Sequence, residues 1–246
     1  MAQTSLRPKK TALLVAQRIV SDIARGGHSI GDRLPPEHLM IQEYGVGRGV
    51  LRESLRFLEL QGVISLKPGP GGGPVVQHPD SDVLATALTL LLQFEKAPFR
   101  TIVEARTALE PMMARLAANR MSDTAIAELK INVDETRLHM NDPQKFHDEI
   151  ERFHDLVAKG SGNQLFGHLI SALLGILDGT AMGIDYPEKQ RIASCTIHED
   201  IYDAIAAHDA NRAQELMNVH IQAHARYTEL EFKDVLDTPI QWNLLR

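Results

Sequence analysis

Two arginines at the start of a predicted helix are the first candidates for chemistry in this sequence. Arg48 and Arg52 are four residues apart and follow the turn Gly45-Val46-Gly47, so both project from one side of the helix near its N-terminal end. Guanidinium groups bind phosphates strongly and form paired hydrogen bonds with the O6 and N7 atoms of guanine. The pair, with Gly49 between its members, therefore predicts DNA contacts, whereas an isolated arginine pair is more often a solvated helix face.

Three histidines form a second candidate group. His154, His198 and His220 fall on three separate predicted helices. If those helices face a common interior, three imidazoles can converge on one divalent cation and leave open positions for a ligand. Scattered histidines are more often surface or satisfied core residues. A metal-dependent enzyme is the least favoured use of the group, because the sequence contains no His-Glu-x-x-His motif, and no catalytic residue is predicted.

Arg106 is the third candidate. It lies within an apolar helical stripe that includes Ile102 and Leu109, where an unpaired guanidinium is costly. The position favours contact with an anionic ligand. The alternative is a structural ion pair with a nearby glutamate or aspartate, and the sequence leaves both open.

The elements that carry Arg48 and Arg52 are typical of a winged helix-turn-helix. Residues 9–61 predict three helices, the first ending at Gly26-Gly27 and the second at Gly45, after beginning with Pro36 and Glu37. Residues 62–79 predict two short strands around a Gly/Pro-rich tip, which is a wing. Lys67 and the glycine amides of the tip, such as that of Gly69, can approach DNA closely. Domain boundaries of 9–78 follow for this DNA-binding domain.

The rest of the chain predicts a separate all-helical domain over residues 82–233. Apolar residues recur there at three- and four-residue spacing, and breaks rich in Gly, Pro, Asn and Asp divide the pattern. We expect a bundle of six or seven helices. The fold class is therefore mainly α, with an N-terminal winged helix-turn-helix and a small β-wing.

The distribution of charge agrees with a DNA-binding N-terminal domain joined to an acidic C-terminal domain. Residues 1–78 hold 10 Lys and Arg against 6 Asp and Glu, whereas residues 79–246 hold 16 against 26. The longest apolar run, Leu84 to Phe94, is too short to span a bilayer, and no signal peptide is recognised. Cys195 is the only cysteine, so no intrachain disulfide can form. We expect a cytoplasmic protein without a membrane partner.

Residues 31–76 resemble the GntR family of winged helix-turn-helix regulators. The matching motifs are Gly31-Asp-Arg-Leu34-Pro35-Pro36-Glu37, Gly45-Val46-Gly47-Arg48, Leu51-Arg52-Glu53-Ser54-Leu55 and Leu58-Glu59-Leu60-Gln61-Gly62. The resemblance implies DNA contacts by Arg48 and Arg52. Two departures alter the expected interface: His38 stands where the family usually has a DNA-contacting arginine, and glycines at 47 and 49 replace hydroxyl-bearing residues.

Residues 82–230 resemble the C-terminal ligand-binding domain of the FadR subfamily. The matching motifs are Glu104-Ala-Arg106-x-x-Leu109-Glu110-Pro111, Leu116-Ala117-Ala118, Phe153-His154 with Asn163, His198-x-x-Ile201-x-x-Ala204-Ile205 with Asp209 and Ala213, and Met217-x-x-His220. In metal-binding members the three histidines are joined by an aspartate four residues before the first, and here that position is Ile150. Glu151 is about 100° away around the helix, and His224 lies one turn after His220.

The resemblance implies zinc or nickel on the three histidines, and it leaves a metal-free pocket open, as in acyl-CoA-binding members. It further implies a homodimer on double-stranded operator DNA and a small-molecule effector, for which we expect a carboxylate. The expected function is repression relieved by a small organic acid. A regulator that senses the metal itself is the main alternative.

Overall fold

The chain folds into two compact units, which the computed structural model describes over residues 8–69, 71–176 and 186–242. The first unit, Met1–Val83, is called the head, and the second, Leu84–Arg246, is called the body. The domain boundaries predicted from the sequence, 9–78 and 82–233, remain a proposal. The order of elements is α1 (Pro8–Arg25), α2 (Glu37–Tyr44), α3 (Arg48–Leu60), β1 (Ile64–Lys67), β2 (Gly73–Val76), α4 (Asp82–Phe94), α5 (Arg100–Arg120), α6 (Asp123–Leu138), α7 (Pro143–Gly160), α8 (Gln164–Ile176), α9 (Glu188–Ala206), α10 (Ala210–Glu231) and α11 (Lys233–Leu236).

The head has the predicted helix-turn-helix with a wing. Helix α2 ends at Gly45, whose φ of 64° is readily adopted by glycine and turns the chain toward α3. Helix α2 begins at Glu37, with Pro36 as its N-cap, one residue later than the sequence predicts. Strands β1 and β2 pair antiparallel from Ile64↔Val76 to Lys67↔Gly73 and form the wing.

A single apolar core holds the head together. The leucines of α3 pack against α1 and the wing, and Ser54 donates a hydrogen bond of 2.8 Å from its hydroxyl to the carbonyl of Ala12. The buried members of this core are Val15, Ala16, Ile19, Leu34, Met40, Tyr44, Leu51, Leu55, Leu58, Ile64 and Val76. Because the leucines face inward, the opposite face of α3 is left to solvent.

The body is an all-helical bundle, as predicted. In the described part of the chain it contains seven helices of 13 residues or more, and the four-residue α11. The long helix α5 packs against α7, α8, α9 and α10. Side-chain oxygens of Ser122, Asp142 and Asp209 cap α6, α7 and α10, at breaks that the sequence predicts. Among the described residues, no helix is long and apolar enough to cross a membrane.

Candidate functional site

The N-terminal end of α3 presents the predicted arginines to solvent. Arg48 is the first residue of the helix, and Arg48, Gly49 and Arg52 are all exposed. The Gly47 N-cap offers no side chain to the free backbone N–H groups, so these groups and the helix dipole are available to an anion such as a phosphate. Arg52 Nε donates a hydrogen bond of 3.0 Å to Glu37 Oε2. This geometry suits contact with a duplex.

The wing carries further exposed groups of the head. Lys67 ends β1 and is exposed, and Gly69 is exposed with a φ of 93°. A Cβ on Gly72 would approach the carbonyl oxygen of Lys67 to 2.2 Å, so only glycine fits this turn. Arg33 Nη1 donates to the carbonyl of Gly71 at 2.6 Å and so ties the segment before α2 to the wing tip.

Two basic residues of the head were not singled out from the sequence. Arg33 reaches the wing, as described above, and Arg56 is exposed one turn after Arg52 on α3. The four-residue spacing of Arg48, Arg52 and Arg56 is the signal that could have found Arg56. His38, predicted to contact DNA, is exposed on α2.

The body brings His154, His198 and His220 together from α7, α9 and α10. The Nε2 atoms of His198 and His220 are 3.1 Å apart, and those of His220 and His154 are 3.4 Å apart. Tetrahedral zinc with Zn–N bonds of about 2.0–2.1 Å requires nitrogen atoms about 3.3 Å apart. His154 and His198 are buried and His220 is partly buried. All three ligand nitrogens lie within 4.8 Å of one another, so the group could hold a divalent cation.

Burial sets the protonation of His198 and His220, two members of this histidine cluster. Burial lowers the pKa of His198 and of His220 well below the usual value, and the neighbouring histidines lower both further. Both rings are therefore neutral near pH 7, which is the form that binds metals. His198 also stacks on Phe153, with ring centroids 3.7 Å apart, and this contact fixes the plane of its ring.

Glu110 supplies the negative charge that the sequence did not locate. It accepts a hydrogen bond of 2.6 Å from Arg106 Nε, and its second carboxylate oxygen contacts Nδ1 of His154. Burial raises the pKa of this carboxyl, but the charges of Arg106 and His154 outweigh burial and hold it well below its ordinary value. An ionised carboxylate on the outer nitrogen of a histidine orients the ring and increases its basicity as a ligand. The signal in the sequence was the four-residue spacing from Arg106 to Glu110.

Other predicted residues take different positions. Arg106 forms an ion pair with Glu110, which was one of the two roles that the sequence left open for it. It also lines a cavity in the body. Ile150 lies on the wall of that cavity. Glu151 pairs with His147, at 3.1 Å between Oε1 and Nε2, and is not part of the three-histidine group. His224 Nδ1 lies 3.3 Å from the hydroxyl of Tyr186 and is also outside the group.

The cavity has a volume of about 230 Å³ and is largely apolar. His154 and His220 lie on its wall, so a molecule inside it reaches the histidine cluster directly. Burial lowers the pKa of His224, also on the wall, to about 3, with the positive charge of Arg106 acting in the same direction. The apolar lining residues include Val103, Phe146, Ile150, Leu174, Ala193, Ile197, Val219, Ala223 and Leu236.

Two family models match the chain. The model of the bacterial regulatory proteins of the gntR family matches residues 11–72, and that of the FCD domain matches residues 101–223. Both predicted resemblances are thereby confirmed. The first match contains the exposed tip of α3, and the second contains the three histidines, Arg106 and Glu110.

Similar proteins extend over most of the chain. An HTH-type transcriptional regulator of Bacillus subtilis, YcbG, is 29% identical over 218 residues, covering 87% of this chain and 88% of the relative. The galactonate operon transcriptional repressor of Escherichia coli is 24% identical, covering 83% of this chain and 90% of the relative. The structure of Streptococcus agalactiae GntR matches with a TM-score of 0.67 and 24% identity, covering 87% of this chain and 99% of that one, and shows the same fold.

Proposed function

The chain belongs to the GntR family of bacterial regulatory proteins and is a ligand-responsive, DNA-binding transcription regulator; we propose that it represses its genes until a small organic acid binds in the body. The observation that carries this proposal is the solvent exposure of Arg48 and Arg52 at the N-terminal end of α3. A helix end with free N–H groups and two guanidiniums matches the phosphates and guanine edges of a major groove.

The DNA-bound form that we propose is a homodimer in the cytoplasm on a pseudo-palindromic operator. Symmetric regulators bind two half-sites about one helical turn apart, one with each head. Arg48, Gly49, Arg52 and His38 contact the groove or its edges, and Lys67 and Gly69 of the wing contact the neighbouring backbone. Repression, rather than activation, is favoured by relatives such as the galactonate operon repressor and NanR of Cronobacter sakazakii, both named as repressors.

The histidine cluster holds a divalent cation, zinc or nickel, in this proposal. His154, His198 and His220 provide three nitrogen donors that lie within 4.8 Å of one another, and Glu110 provides an anion behind His154. Such a cation, when bound, accepts a carboxylate oxygen at an open position. Ile150 leaves that position without a protein carboxylate, so the effector is expected to supply the anionic ligand. Arg106 lies on the same cavity wall and attracts the acid.

The size of the cavity favours a small acid over an acyl-CoA. Pockets for drug-sized ligands span about 300–1,000 Å³, whereas this cavity has about 230 Å³. Binding of a small acid would lower operator affinity through a coupling of about 1–3 kcal/mol, which is typical of allosteric proteins.

The first test is a gel shift with the DNA that flanks the gene for this chain. We expect binding at low salt that weakens steeply as salt rises, because phosphate contacts release counterions. Arg48→Ala and Arg52→Ala should each weaken the shift of this DNA. Arg25→Ala is the matched control, since Arg25 is an exposed head arginine at the end of α1 that pairs with Asp22 at 2.9 Å. Equal binding by all four proteins would refute the proposed interface.

The second test is the metal content of the purified protein. We expect about one zinc or nickel ion per chain, lost in His198→Ala and retained in His139→Ala, a body histidine that pairs with Glu135 outside the cluster. A metal-sensing regulator is the second candidate, because the three histidines can hold a cation without an organic ligand. If adding and chelating the metal alone switches DNA binding, that candidate replaces the organic-acid effector.

A further inference from the structure

A segment near the C-terminus joins the cavity of the body to the end of α4. This segment, residues 233–242, is called the strap and consists of α11 and the residues that follow it. Leu236, the last residue of α11, is 1% exposed and lines the cavity. Ile240 is also 1% exposed and belongs to the same apolar cluster as Leu236 and Phe99. The strap is therefore part of the core of the body and part of the cavity wall.

Backbone hydrogen bonds attach the strap to the turn between α4 and α5. The N–H of Ile240 donates to the carbonyl of Ala97 at 2.9 Å, and the N–H of Phe99 donates to the carbonyl of Thr238 at 3.2 Å. These reciprocal bonds form an isolated antiparallel bridge. They hold the strap directly against the backbone of the turn.

The turn itself is a tight cap on α4. Lys96 has a φ of 54°, in the left-handed region that glycine usually occupies at the end of a helix. Its N–H donates to the carbonyl of Gln93 at 3.0 Å, and the N–H of Ala97 donates to that of Leu92 at 2.9 Å. The side chain of Gln93 accepts a further bond of 2.7 Å from the N–H of Trp242. Ala97 therefore caps α4 through its N–H and holds the strap through its carbonyl.

Arg100, at the start of α5, adds an ionic attachment. Its Nη2 donates to Oδ1 of Asp237 in the strap at 2.7 Å, and its Nη1 contacts Oε2 of Glu229 in the last turn of α10. The side chains of Arg100, Glu229 and Asp237 are 31%, 42% and 50% exposed. Water can therefore compete for these ion pairs, and the strap can be released without leaving a buried charge.

We propose that the strap is a relay through which the state of the cavity alters the end of α4, and that Arg100 is the positioning residue that holds it. This inference rests on the proposed function, because it assumes an effector in the body and DNA at the head. A molecule in the cavity meets Leu236, whereas Ala97 and Gln93 bind the other end of the strap. Helix α4 is the first element after the wing, since only residues 77–81 separate it from β2. One short segment is thus in contact with both elements that it must couple.

The first measurement is hydrogen exchange at the amides of Phe99 and Ile240 in the full-length protein. We expect Arg100→Gln to raise both exchange rates by about threefold to tenfold, the factor that two exposed ion pairs supply. Arg100→Lys keeps the charge and should restore most of the protection. Ile240→Ser releases the strap by a different route and should accelerate exchange at Phe99. Unchanged exchange in Arg100→Gln would refute the role of Arg100.

The second measurement is the affinity of the same proteins for the DNA that flanks the gene. We expect Arg100→Gln and Ile240→Ser to bind at least about fivefold more weakly than the unmodified protein, the lower end of typical allosteric coupling. A released strap leaves the end of α4 in several arrangements, and affinity falls with the fraction that fits DNA. Because Arg100→Gln leaves the apolar core intact, it decides the question even if Ile240→Ser folds poorly.

Leu236→Ala tests the cavity side of the strap. This variant removes a cavity-lining side chain and keeps Arg100 and the backbone bonds, so it should also weaken DNA binding. In the double variant Arg100→Gln/Leu236→Ala, the loss should be smaller than the product of the two single losses, because both changes act through one segment. Independent losses, or normal DNA binding by Leu236→Ala, would overturn the relay.

Arg137→Gln is the matched control. Arg137 and Glu199 form an ion pair of 2.6 Å that joins α6 and α9, with side chains 47% and 39% exposed. Neither residue belongs to the strap or to the described lining of the cavity. Urea denaturation should show similar small losses of stability for Arg137→Gln and Arg100→Gln, whereas only Arg100→Gln should weaken DNA binding. Equal weakening by both would mean that general destabilisation of the body is the cause, and the relay would be refuted.

Failure of the proposed function would look different. If the unmodified protein did not bind the flanking DNA, the proposed function and the relay would both be refuted. If it bound, and Arg100→Gln and Ile240→Ser bound equally well despite faster exchange in the strap, only the relay would be lost.

Discussion

Each half of the molecule contains an arginine–glutamate pair, and the two pairs differ in their surroundings more than in their geometry. In the head, Arg52 Nε lies 3.0 Å from Glu37, with side chains 59% and 36% exposed. In the body, Arg106 Nε lies 2.6 Å from Glu110, with side chains 8% and 3% exposed. Water can replace Glu37 at little cost, so Arg52 is free to exchange its partner for a phosphate or a base. Arg106 has no such freedom, because a buried charge without a partner is strongly destabilising.

The difference shows how one chemical pair serves two purposes. Exposed charges in the head are available to a large, highly charged partner whose affinity depends on ionic strength. Buried charges in the body fix the orientation of their neighbours, here His154 through Glu110, and keep the cavity wall preorganised. The exposed charges of the head therefore serve DNA binding and contribute little to the free energy of folding. The buried charges of the body serve both ligand binding and folding.

The sharpest separation of the two pairs comes from removing the carboxylate of each. Glu110→Gln leaves the buried Arg106 guanidinium uncompensated, and we expect the free energy of unfolding to fall by about 3–5 kcal/mol. Glu37→Gln should lower it by less than about 1 kcal/mol, because exposed pairs contribute little. Urea denaturation of both variants measures the difference. Equal losses would mean that burial does not distinguish the pairs.

The arginines of the head should show the converse pattern. Arg48→Ala and Arg52→Ala are expected to leave the unfolding free energy nearly unchanged while each weakens operator binding by about 1–3 kcal/mol, the range for a bidentate contact with a base. Binding isotherms at several salt concentrations would separate base contacts from phosphate contacts, because only the loss of a phosphate contact makes binding less dependent on salt. A large loss of stability in either variant would contradict a role confined to DNA.

The sequence predicts the DNA-binding surface of the head more fully than it predicts the histidine cluster of the body. The α3 leucine stripe, the glycine turn and the wing glycines are local signals, so the exposed tip of α3 could be predicted from spacing alone. The convergence of the three histidines was a conditional prediction, because helix faces in a bundle are set by tertiary packing. The contact between Glu110 and His154 joins residues on α5 and α7, and no local pattern in the sequence specifies such a contact.

The cavity and the position of Glu151 were out of reach for the same reason. The four-residue spacing of His147 and Glu151 is visible in the sequence, but such pairs are common on solvated helix faces, as Glu135 and His139 show. What distinguishes His147 and Glu151 is that both line the cavity together with residues of α9 and α10. Sequence pattern gives the neighbours along one helix, whereas a binding site is made by neighbours across several.

The smallest expected effect concerns the acid sensitivity of the body, which His224 reports. Its folded-state pKa of about 3 lies below the ordinary value near 6.5, with burial as the main cause and Arg106, His154 and His147 acting in the same direction against the opposing charge of Glu110. The unfolded chain therefore binds a proton that the folded chain does not. The stabilising contribution of neutral His224 is fully present above about pH 6.5 and declines as the pH falls toward 3.

Replacing His224 by glutamine should remove this dependence. From linkage, the single group accounts for a loss of about 1 kcal/mol between pH 7 and pH 5.5, so the unmodified protein should lose that much more stability over this interval than His224→Gln does. Urea denaturation at the two pH values, with metal removed from both proteins, measures the difference. His38→Gln in the head, where the side chain is exposed, is the matched control and should follow the unmodified protein. Parallel pH profiles for the unmodified protein and His224→Gln would show that His224 is hydrated or paired in the folded protein. Only the two arginine–glutamate pairs would then support the contrast between a solvated head and a desolvated body.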